Sequence, residues 1–470
     1  MKKFLTNDFL LNTEYAKILY HNYAKDMPIF DWHCHLEAEE IYKNEKINSI
    51  TKAWLGGDHY KWRVMRAVGI DEDLITGNAS DLDKFKSYAA TMPNLIGNPI
   101  YHWTHLELKK YFDIDYCLEP DTAEEIFNIT NEKLTQDDFR PRELIKMSNV
   151  AAVCTTNDPI DDLHYHDLLA EDESFQTKVK PAFRPDKAIS IEKDSYTSYI
   201  KELSEVAGVE INSFDTLKEA LEKRMNFFKE KGCEASDQAF KYIPFEKISD
   251  KEVNEIIKKK LNGEKLEIRE EDAYKTALIV WLGSKYNELN WAMELHIGVI
   301  RDNSTKLYNK LGNDVGADAT NDESWAENLA NLLNIIEQKG AIPRTIIFPL
   351  NPAEFYPAST IAGSFNRGND ENVLTAQIGP SWWHIDHKEG ILDQMKIMSA
   401  TSAFAKSIGM ITDSRSFLSY PRHEYFRRLL CRFIGEIIAD GEYPWDEEFL
   451  GNMVKDICFN NAKNIIKIDL

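Results

Sequence analysis

The sequence lacks the features that mark secreted, disulfide-bonded and membrane proteins. No apolar run approaches the about 20 residues that a membrane helix needs. Asn7, Asp8 and Glu14 interrupt the apolar character of the N-terminus, which we do not expect to be a signal peptide. C-x-x-C spacing is absent, and the six cysteines are scattered, at positions 34, 117, 154, 233, 431 and 458. This usage is typical of a reducing compartment, so we expect a cytoplasmic protein.

Positive charge is also scarce. There are 56 basic against 78 acidic residues, and the net charge is -22. Such a surface disfavours partners that are nucleic acids or anionic membranes. An anionic substrate would therefore need arginines gathered at its own site. Internal repeats, low-complexity segments and Gly/Ser/Pro linkers are absent as well, which favours one large folding unit.

The most informative stretch that is present is PIFDWHCHL, residues 28–36. Residues two apart in a strand point to the same side, so His33 and His35 can reach one metal ion together. Neutral imidazoles suit Zn²⁺ or a similar ion. A chance pair of strand histidines is the alternative. His164 and His166 have the same spacing, but they lie in a helical pattern, where residues two apart diverge by roughly 200°.

Short apolar runs recur along the chain and alternate with amphipathic helical segments. This alternation implies parallel pairing, and eight runs predict a (β/α)₈ barrel of the TIM type. No G-x-G-x-x-G follows the first strand, which disfavours an open doubly wound sheet. The predicted strands are 28–36, 150–157, 179–184, 232–238, 291–298, 344–350, 372–378 and 408–414. The predicted helices include 196–207, 214–229, 252–261, 325–338 and 391–405.

A barrel of this type needs about 250 residues, so the chain carries a large addition. Residues 1–36 are expected to form an N-terminal helix and the first barrel strand. The segment 37–149 is predicted to be a mostly helical insertion that covers the active site. Residues 150–470 then form the remainder of the barrel.

Chemistry in such barrels takes place at the carboxyl ends of the strands. Those ends carry histidines, acids and arginines, namely His33, His35, Arg184, Asp237, His296, Asp413 and Arg415. Arg184 could instead pair with a loop acid, and Asp237 could cap a helix. Seven such placements at one face nevertheless favour an active site that contains a metal ion.

These motifs resemble the uronate isomerase (glucuronate isomerase) family of the amidohydrolase superfamily. The matching segments are DWHCHL (31–36), GDHYKWR (57–63), FRPDK (183–187), SDQAF (236–240), ELHIG (294–298), SWW (381–383), TDSRSF (412–417) and RHEYFRR (422–428). The resemblance implies a metal-dependent aldose–ketose isomerase that converts D-glucuronate to D-fructuronate and D-galacturonate to D-tagaturonate. Strand four has no lysine and strand six ends without histidine. Both departures from the superfamily pattern indicate one metal ion.

The resemblance and the chemistry together assign the site. One divalent ion, expected to be Zn²⁺, is held by His33, His35 and Asp413. The catalytic residues are Asp413, Tyr60, His296 and Arg415, and the proton-abstracting base is either Asp413 or Tyr60. His296 is either a further metal ligand or a contact to the sugar. Arg184 and Arg415 suit the substrate carboxylate. The substrate-binding set is His59, Arg184, Asp237, Trp382 and Trp383.

Two other functions remain open on the sequence alone. A mononuclear hydrolase or deaminase of the same superfamily would share the metal residues but not the need for two arginines. A sugar-binding or structural zinc protein would need only the histidines, and it leaves the TDSR segment unexplained. The expected partner is a small hexuronate, with no nucleic acid or membrane, and we also expect a homo-oligomer.

Overall fold

The structure, a computed structural model, describes residues 3–368 and 373–470. Its centre is a sheet of seven parallel strands in the order β1-β2-β3-β4-β5-β8-β9, and β6 and β7 pair antiparallel outside it. The strands are β1 Ile29–Asp31, β2 Val150–Asn157, β3 Lys178–Phe183, β4 Ala235–Phe240, β5 Ala292–Ile297, β6 Val299–Ile300, β7 Ala319–Thr320, β8 Arg344–Pro349 and β9 Ala376–Ile378.

Helices follow most of the strands of the sheet. In the described part of the chain they are α1 Glu14–Leu19, α2 Ala38–Lys43, α3 Ile50–Leu55, α4 His59–Ala67, α5 Asp81–Thr91, α6 Pro99–Phe112, α7 Ala123–Leu134, α8 Pro141–Met147, α9 His164–Glu171, α10 Asp186–Ile189, α11 Tyr196–Ala207, α12 Phe214–Glu230, α13 Asp250–Leu261, α14 Ile268–Leu289, α15 Thr305–Leu311, α16 Ala326–Gln338, α17 Phe355–Ser364, α18 Lys388–Thr401, α19 Pro421–Ala439, α20 Glu447–Lys455 and α21 Asn461–Ile466. None of these helices is long and apolar enough to cross a membrane.

The eighth strand position is filled by residues 408–414, which run beside β1 without forming a regular ladder. His35 N donates to Ser414 O at 3.0 Å, and Asp413 N donates to His33 O at 3.3 Å. On the other side, Ile408 N donates to the side chain of Gln377 in β9. The sheet therefore curls until its first and last positions meet, and the predicted (β/α)₈ barrel is confirmed.

Several predicted strand boundaries are wrong. The first strand ends at Asp31, so both histidines follow it in an irregular segment, although Cys34 N still donates to Cys154 O of β2. Residues 408–414 are not a strand because Gly409 and Asp413 have positive φ, at 86° and 49°. The fourth strand begins three residues later than predicted. The seventh is confined to Ala376–Ile378, and Asn372 lies outside the described residues.

Local sequence signals explain where the helices begin. Helix α11 has the predicted bounds, and α12 begins at a capping box in which Ser213 and Thr216 bond to each other's backbone N–H groups. Asp58 is the N-cap of helix α4, and its carboxylate accepts from the N–H groups of Tyr60 and Lys61. This cap fixes where the first turn of α4 stands, and that turn carries two of the predicted site residues.

The interior of the barrel is packed with side chains of unequal size. Small residues from four successive strands, Ala152, Ala182, Ala235 and Ala292, share a buried cluster with large aromatic ones. The rings include Trp32 and Phe348, whose centroids are 5.7 Å apart. Large and small side chains fill the interior of the barrel together.

Candidate active site

Hydrogen bonds between β1 and residues 408–414 lie at the base of the site. Asp31 is fully buried, and its carboxylate accepts from Thr412 N at 2.7 Å and from Thr412 Oγ1 at 2.5 Å. Arg422 Nη1 donates to Thr412 O at 2.9 Å. The next residue, Asp413, is held in the left-handed region at a φ of 49°. A non-glycine residue in this conformation is uncommon and is often found where the backbone must aim a side chain.

His33, His35 and Asp413 converge at that point. Asp413 Oδ1 lies 3.1 Å from His35 Nε2 and 3.5 Å from His33 Nε2. Burial raises the pKa of Asp413, but the hydrogen bonds from the two histidines outweigh it and hold the pKa well below its ordinary range. Burial lowers the pKa of His35 to about 4, which favours the neutral imidazole that a metal ion requires.

A polar side chain lies beside the second ring nitrogen of each histidine. His35 Nδ1 lies 2.8 Å from Thr156 Oγ1, and His33 Nδ1 lies 2.8 Å from Glu294 Oε2. This is the usual arrangement around a metal-binding imidazole, where the second nitrogen is oriented by a carboxylate or another polar group. Glu294 is fully buried and was not predicted. The sequence does contain a signal for Glu294 as a site residue. Glu294 lies two residues before His296 on β5, so both side chains point into the barrel.

The donors suit a divalent cation. Two imidazole nitrogens and one carboxylate oxygen lie within 4.8 Å of one another, and a second group, His33, Asp237, Glu294 and His296, meets the same limit and shares His33. Burial lowers the pKa of His33, yet the carboxylates of Asp237 and Glu294 outweigh it and raise that pKa well above its ordinary value. This concentration of buried negative charge favours a cation, and nitrogen and oxygen donors of this kind match Zn²⁺.

Arg184 and Asp237 form a pair at the ends of β3 and β4. Arg184 Nη1 lies 3.1 Å from Asp237 Oδ2, and Arg184 Nε donates to Asp186 Oδ2 at 2.9 Å. Asp237 also accepts from His296 Nδ1 at 2.8 Å when that nitrogen carries the proton. Asp237 is fully buried behind Arg184 and does not line the cavity. Its contact with substrate stays a prediction, and in the structure its carboxylate contacts Arg184 and His296.

His296 lies deep in the site. Its ring stacks on Phe348, with centroids 4.3 Å apart and planes at 4°, and meets the edge of Trp382 at 4.6 Å. His296 Nε2 is buried and has no hydrogen-bond partner in the described part of the chain. The orientation of this ring is fixed by Asp237 and Phe348, and one polar nitrogen is left for a ligand.

Aromatic side chains form one wall of the site. The Tyr60 hydroxyl lies 3.3 Å from both carboxylate oxygens of Asp386 and accepts from His384 N at 3.0 Å. Burial raises the pKa of Asp386 to about 6 against the opposing effect of Arg422. His59 meets Trp383 edge to face, with centroids 5.2 Å apart. The N-terminal turn of α4 thus closes over the end of the barrel.

Arg415 lies at the mouth of the site. The carboxylate within 4.0 Å of its guanidinium in the described residues is that of Asp314, at 3.8 Å. Asp314 also lies 3.4 Å from Arg301. The loop that carries Asp314 follows β6 and packs on α4, where Arg63 donates to Asp318 O at 2.6 Å. Arg301, Asp314 and Arg422 all line the cavity and were not predicted.

These side chains surround one cavity of about 610 Å³ at the carboxyl ends of the strands. Every predicted site residue except Asp237 lines it, including both Trp382 and Trp383. The volume falls in the range of small-molecule sites. The cavity combines candidate metal ligands, arginines and aromatic rings, as a site for a small anionic ligand requires.

Comparison with known proteins gives one consistent result. The profile of a family described as glucuronate isomerase matches residues 1–466. A uronate isomerase of Caldanaerobacter subterraneus subsp. tengcongensis is 49% identical over 468 residues, covering 100% of both chains. One of Lachnoclostridium phytofermentans is 49% identical, covering 98% of this chain and 99% of its own. The crystal structure of uronate isomerase from Thermotoga maritima has a TM-score of 0.93 at 33% identity, covering 99% of this chain and 100% of its own.

Proposed function

Because this chain belongs to the glucuronate isomerase family and is a uronate isomerase, we infer that a hexuronate is isomerised in the cavity at the carboxyl ends of the strands. We propose the substrate pairs D-glucuronate with D-fructuronate and D-galacturonate with D-tagaturonate. The observation that carries the assignment of residues is the convergence of His33, His35 and Asp413 on one wall of that cavity. The helical segment 37–149 contributes His59 and Tyr60 to the same cavity, and we propose that it covers the site.

We propose that His33, His35 and Asp413 hold one divalent ion, Zn²⁺. When bound there, such an ion supplies positive charge that offsets the negative charge developing on the sugar oxygens. The buried carboxylate of Glu294 and the hydroxyl of Thr156 keep the two imidazoles in the orientation that this binding needs. His296 is assigned to the sugar, since its Nδ1 is engaged by Asp237 and its Nε2 has no protein partner in the described residues.

The reaction moves a carbonyl from C1 to C2 of the sugar. A base takes the proton from C2, the proton on O2 moves to O1 through an ene-diol, and C1 receives a proton. Asp413 is the proposed base, because its carboxylate lies beside the two histidines and lines the cavity. The Tyr60 hydroxyl is engaged with Asp386, so we assign Tyr60 to hydrogen bonding of the sugar oxygens.

Arg184 and Arg415 are the proposed contacts of the substrate carboxylate. Arg184 contacts two aspartates through Nε and Nη1, and its side chain lines the cavity. Among the described residues, the carboxylate near Arg415 is that of Asp314 at 3.8 Å, and the Arg415 side chain is 46% exposed. Two guanidinium groups that line the cavity account for how an anionic substrate binds to a chain with a net charge of -22.

Incubation with D-glucuronate and detection of the ketose tests the function, with D-glucose as the uncharged match. A uronate isomerase forms the ketose and leaves glucose almost untouched, because a charge-assisted contact is worth about one to two decades in affinity. A hydrolase or a sugar-binding protein forms no ketose.

Elemental analysis of the wild type and His33→Ala tests the metal ligands separately. Full metal occupancy in His33→Ala would contradict the ligand assignment but would leave the proposed reaction unaffected. The homo-oligomer and the cytoplasmic location stay predictions, and light scattering tests the first.

A further inference from the structure

A second cavity lies at the opposite end of the barrel. Its volume is about 470 Å³, and it is bounded by Ile29, the first residue of β1, by Asn149 just before β2, and by side chains of α6 and α19. The predicted site residues line the first cavity, at the carboxyl ends of the same strands. The two cavities share no lining residue. The second cavity is therefore not an extension of the active site.

The charge of this second cavity is opposite to that of the chain. Five basic residues line it, Lys25, Lys109, Lys110, Arg427 and Arg428, against the two acids Asp26 and Glu424. Glu424 is already engaged by Arg428, at 2.8 Å from Nη2 and 2.9 Å from Nε. A local excess of positive charge is therefore enclosed in a molecule whose net charge is -22. An excess of this kind attracts small anions.

The remaining cations have no acidic partner. Within residues 3–368 and 373–470, no carboxylate oxygen lies within 4.0 Å of the charged nitrogens of Lys25, Lys109, Lys110 or Arg427. Arg427 is only 5% exposed and donates to the carbonyls of Met27 and Pro28, each at 2.7 Å. Lys109 donates to Leu5 O at 2.6 Å. A buried guanidinium without a counter-charge is costly, so a bound anion would stabilise this arrangement.

Two further observations favour a ligand. Burial lowers the pKa of Lys110, Glu424 opposes this, and Arg427 lowers it further, as expected where cations crowd together. Tyr420 is 2% exposed, its ring lines the cavity, and its hydroxyl has no hydrogen-bond partner in the described residues. Apolar side chains of Phe9 and Leu106 form part of the wall and would contact the body of a ligand.

We propose that this cavity binds a small phosphate-bearing metabolite at a site separate from the sugar-acid site. Lysine ammonium groups are compact charges that bind phosphate without a preferred geometry. A carboxylate is best held by a guanidinium fork, but both terminal nitrogens of Arg427 are occupied by carbonyls. Three lysines therefore suit a phosphate dianion better than a carboxylate.

Titration calorimetry of the full-length protein tests the proposal, with glucose 6-phosphate as the probe and glucose as its uncharged match. Saturating glucuronate is present throughout, so that the active-site arginines are occupied. The double variant Lys25→Gln/Lys110→Gln removes two exposed ammonium groups. The control, Lys251→Gln/Lys258→Gln, removes two exposed lysines from α13 and changes the net charge equally. Turnover of glucuronate should be unchanged in both variants, which reports on correct folding.

We expect the wild type and the control to bind glucose 6-phosphate and not glucose, and the cavity variant to bind it about tenfold or more weakly. Inorganic phosphate, used as a second probe, should show the same order among the variants. The proposal is overturned if the wild type does not bind the phosphate ester or if both double variants bind it equally. A change of oligomeric state confined to the cavity variant, measured by light scattering, would also overturn it, because the lysines would then serve an interface.

Discussion

Glu294→Gln is the sharpest test of how the candidate metal ligands are held. The carboxylate of Glu294 lies 2.8 Å from His33 Nδ1, and the side chains of Glu294 and His33 are 0% and 2% exposed. Glutamine keeps the size of the side chain but removes the charge that fixes the ring. Loss of such a supporting contact typically weakens metal affinity by about 10–100-fold, or about 1.4–2.7 kcal/mol. Glu294 touches no solvent, so neither water nor salt would replace its charge.

The assay is competition for Zn²⁺ with a chromogenic chelator at fixed pH, with circular dichroism to confirm the fold of each variant. Thr156→Val is the matched comparison, since it removes the neutral 2.8 Å contact to His35 Nδ1 at almost constant volume. A neutral hydrogen bond is worth about 1 kcal/mol, so this variant should weaken binding by about fivefold. A Zn²⁺ affinity for Glu294→Gln within about twofold of the wild type would refute the reasoning, as would equal losses in the two variants.

Three further predictions concern two acids that line the active-site cavity and the buried Asp386 behind Tyr60. Asp413→Asn, measured in samples whose metal content matches the wild type, should abolish both ketose formation and exchange of the C2 proton with deuterated water; exchange at the wild-type rate would move the base to Tyr60. Asp314→Asn removes the carboxylate 3.8 Å from Arg415 and should lower the KM for glucuronate by about twofold to fivefold with kcat unchanged, because exposed pairs are worth about 0.2–1 kcal/mol; an increased KM would contradict this. Burial raises the pKa of Asp386 to about 6. The folded state therefore binds the proton of Asp386 more tightly than the unfolded state does, and this stabilises the fold at low pH. The stabilisation is lost as the pH rises from about 4 through 6. The free energy of unfolding of the wild type relative to Asp386→Asn should fall by up to about 1.4 kcal/mol per pH unit in that interval, and a rise would show the opposite sign.

The sequence predicted the architecture and ten of the residues that line the cavity because both depend on repeated local patterns. Alternation of apolar runs with amphipathic helices sets a parallel barrel, and strand ends in a barrel meet at one face. His33 and His35 were correctly placed side by side although the strand ends at Asp31. The reason is that the backbone stays next to β2 through Cys34 after the ladder stops.

The sequence could not predict contacts between residues that are far apart in the chain. Asp237 lies near the end of β4, but its carboxylate contacts Arg184, which follows β3, and His296 of β5, so its partners depend on how three strands pack. Arg415 is two residues from Asp413, yet the positive φ of Asp413 turns the chain there, and Arg415 instead approaches Asp314 from a loop after β6. Neither arrangement follows from spacing, since each depends on how separate strands and loops pack.

The hydrogen bonds between Asp31 and Thr412 have a consequence for biosynthesis. The two residues are 381 positions apart in the chain; the candidate ligands His33 and His35 follow Asp31 within four residues, and Asp413 directly follows Thr412. A ribosome-bound chain can already contain all seven strands of the sheet and still lack Asp413, since β9 ends at Ile378. The third ligand is thus translated only after all seven strands of the sheet. Metal capture by all three ligands therefore has to follow the synthesis of the whole sheet.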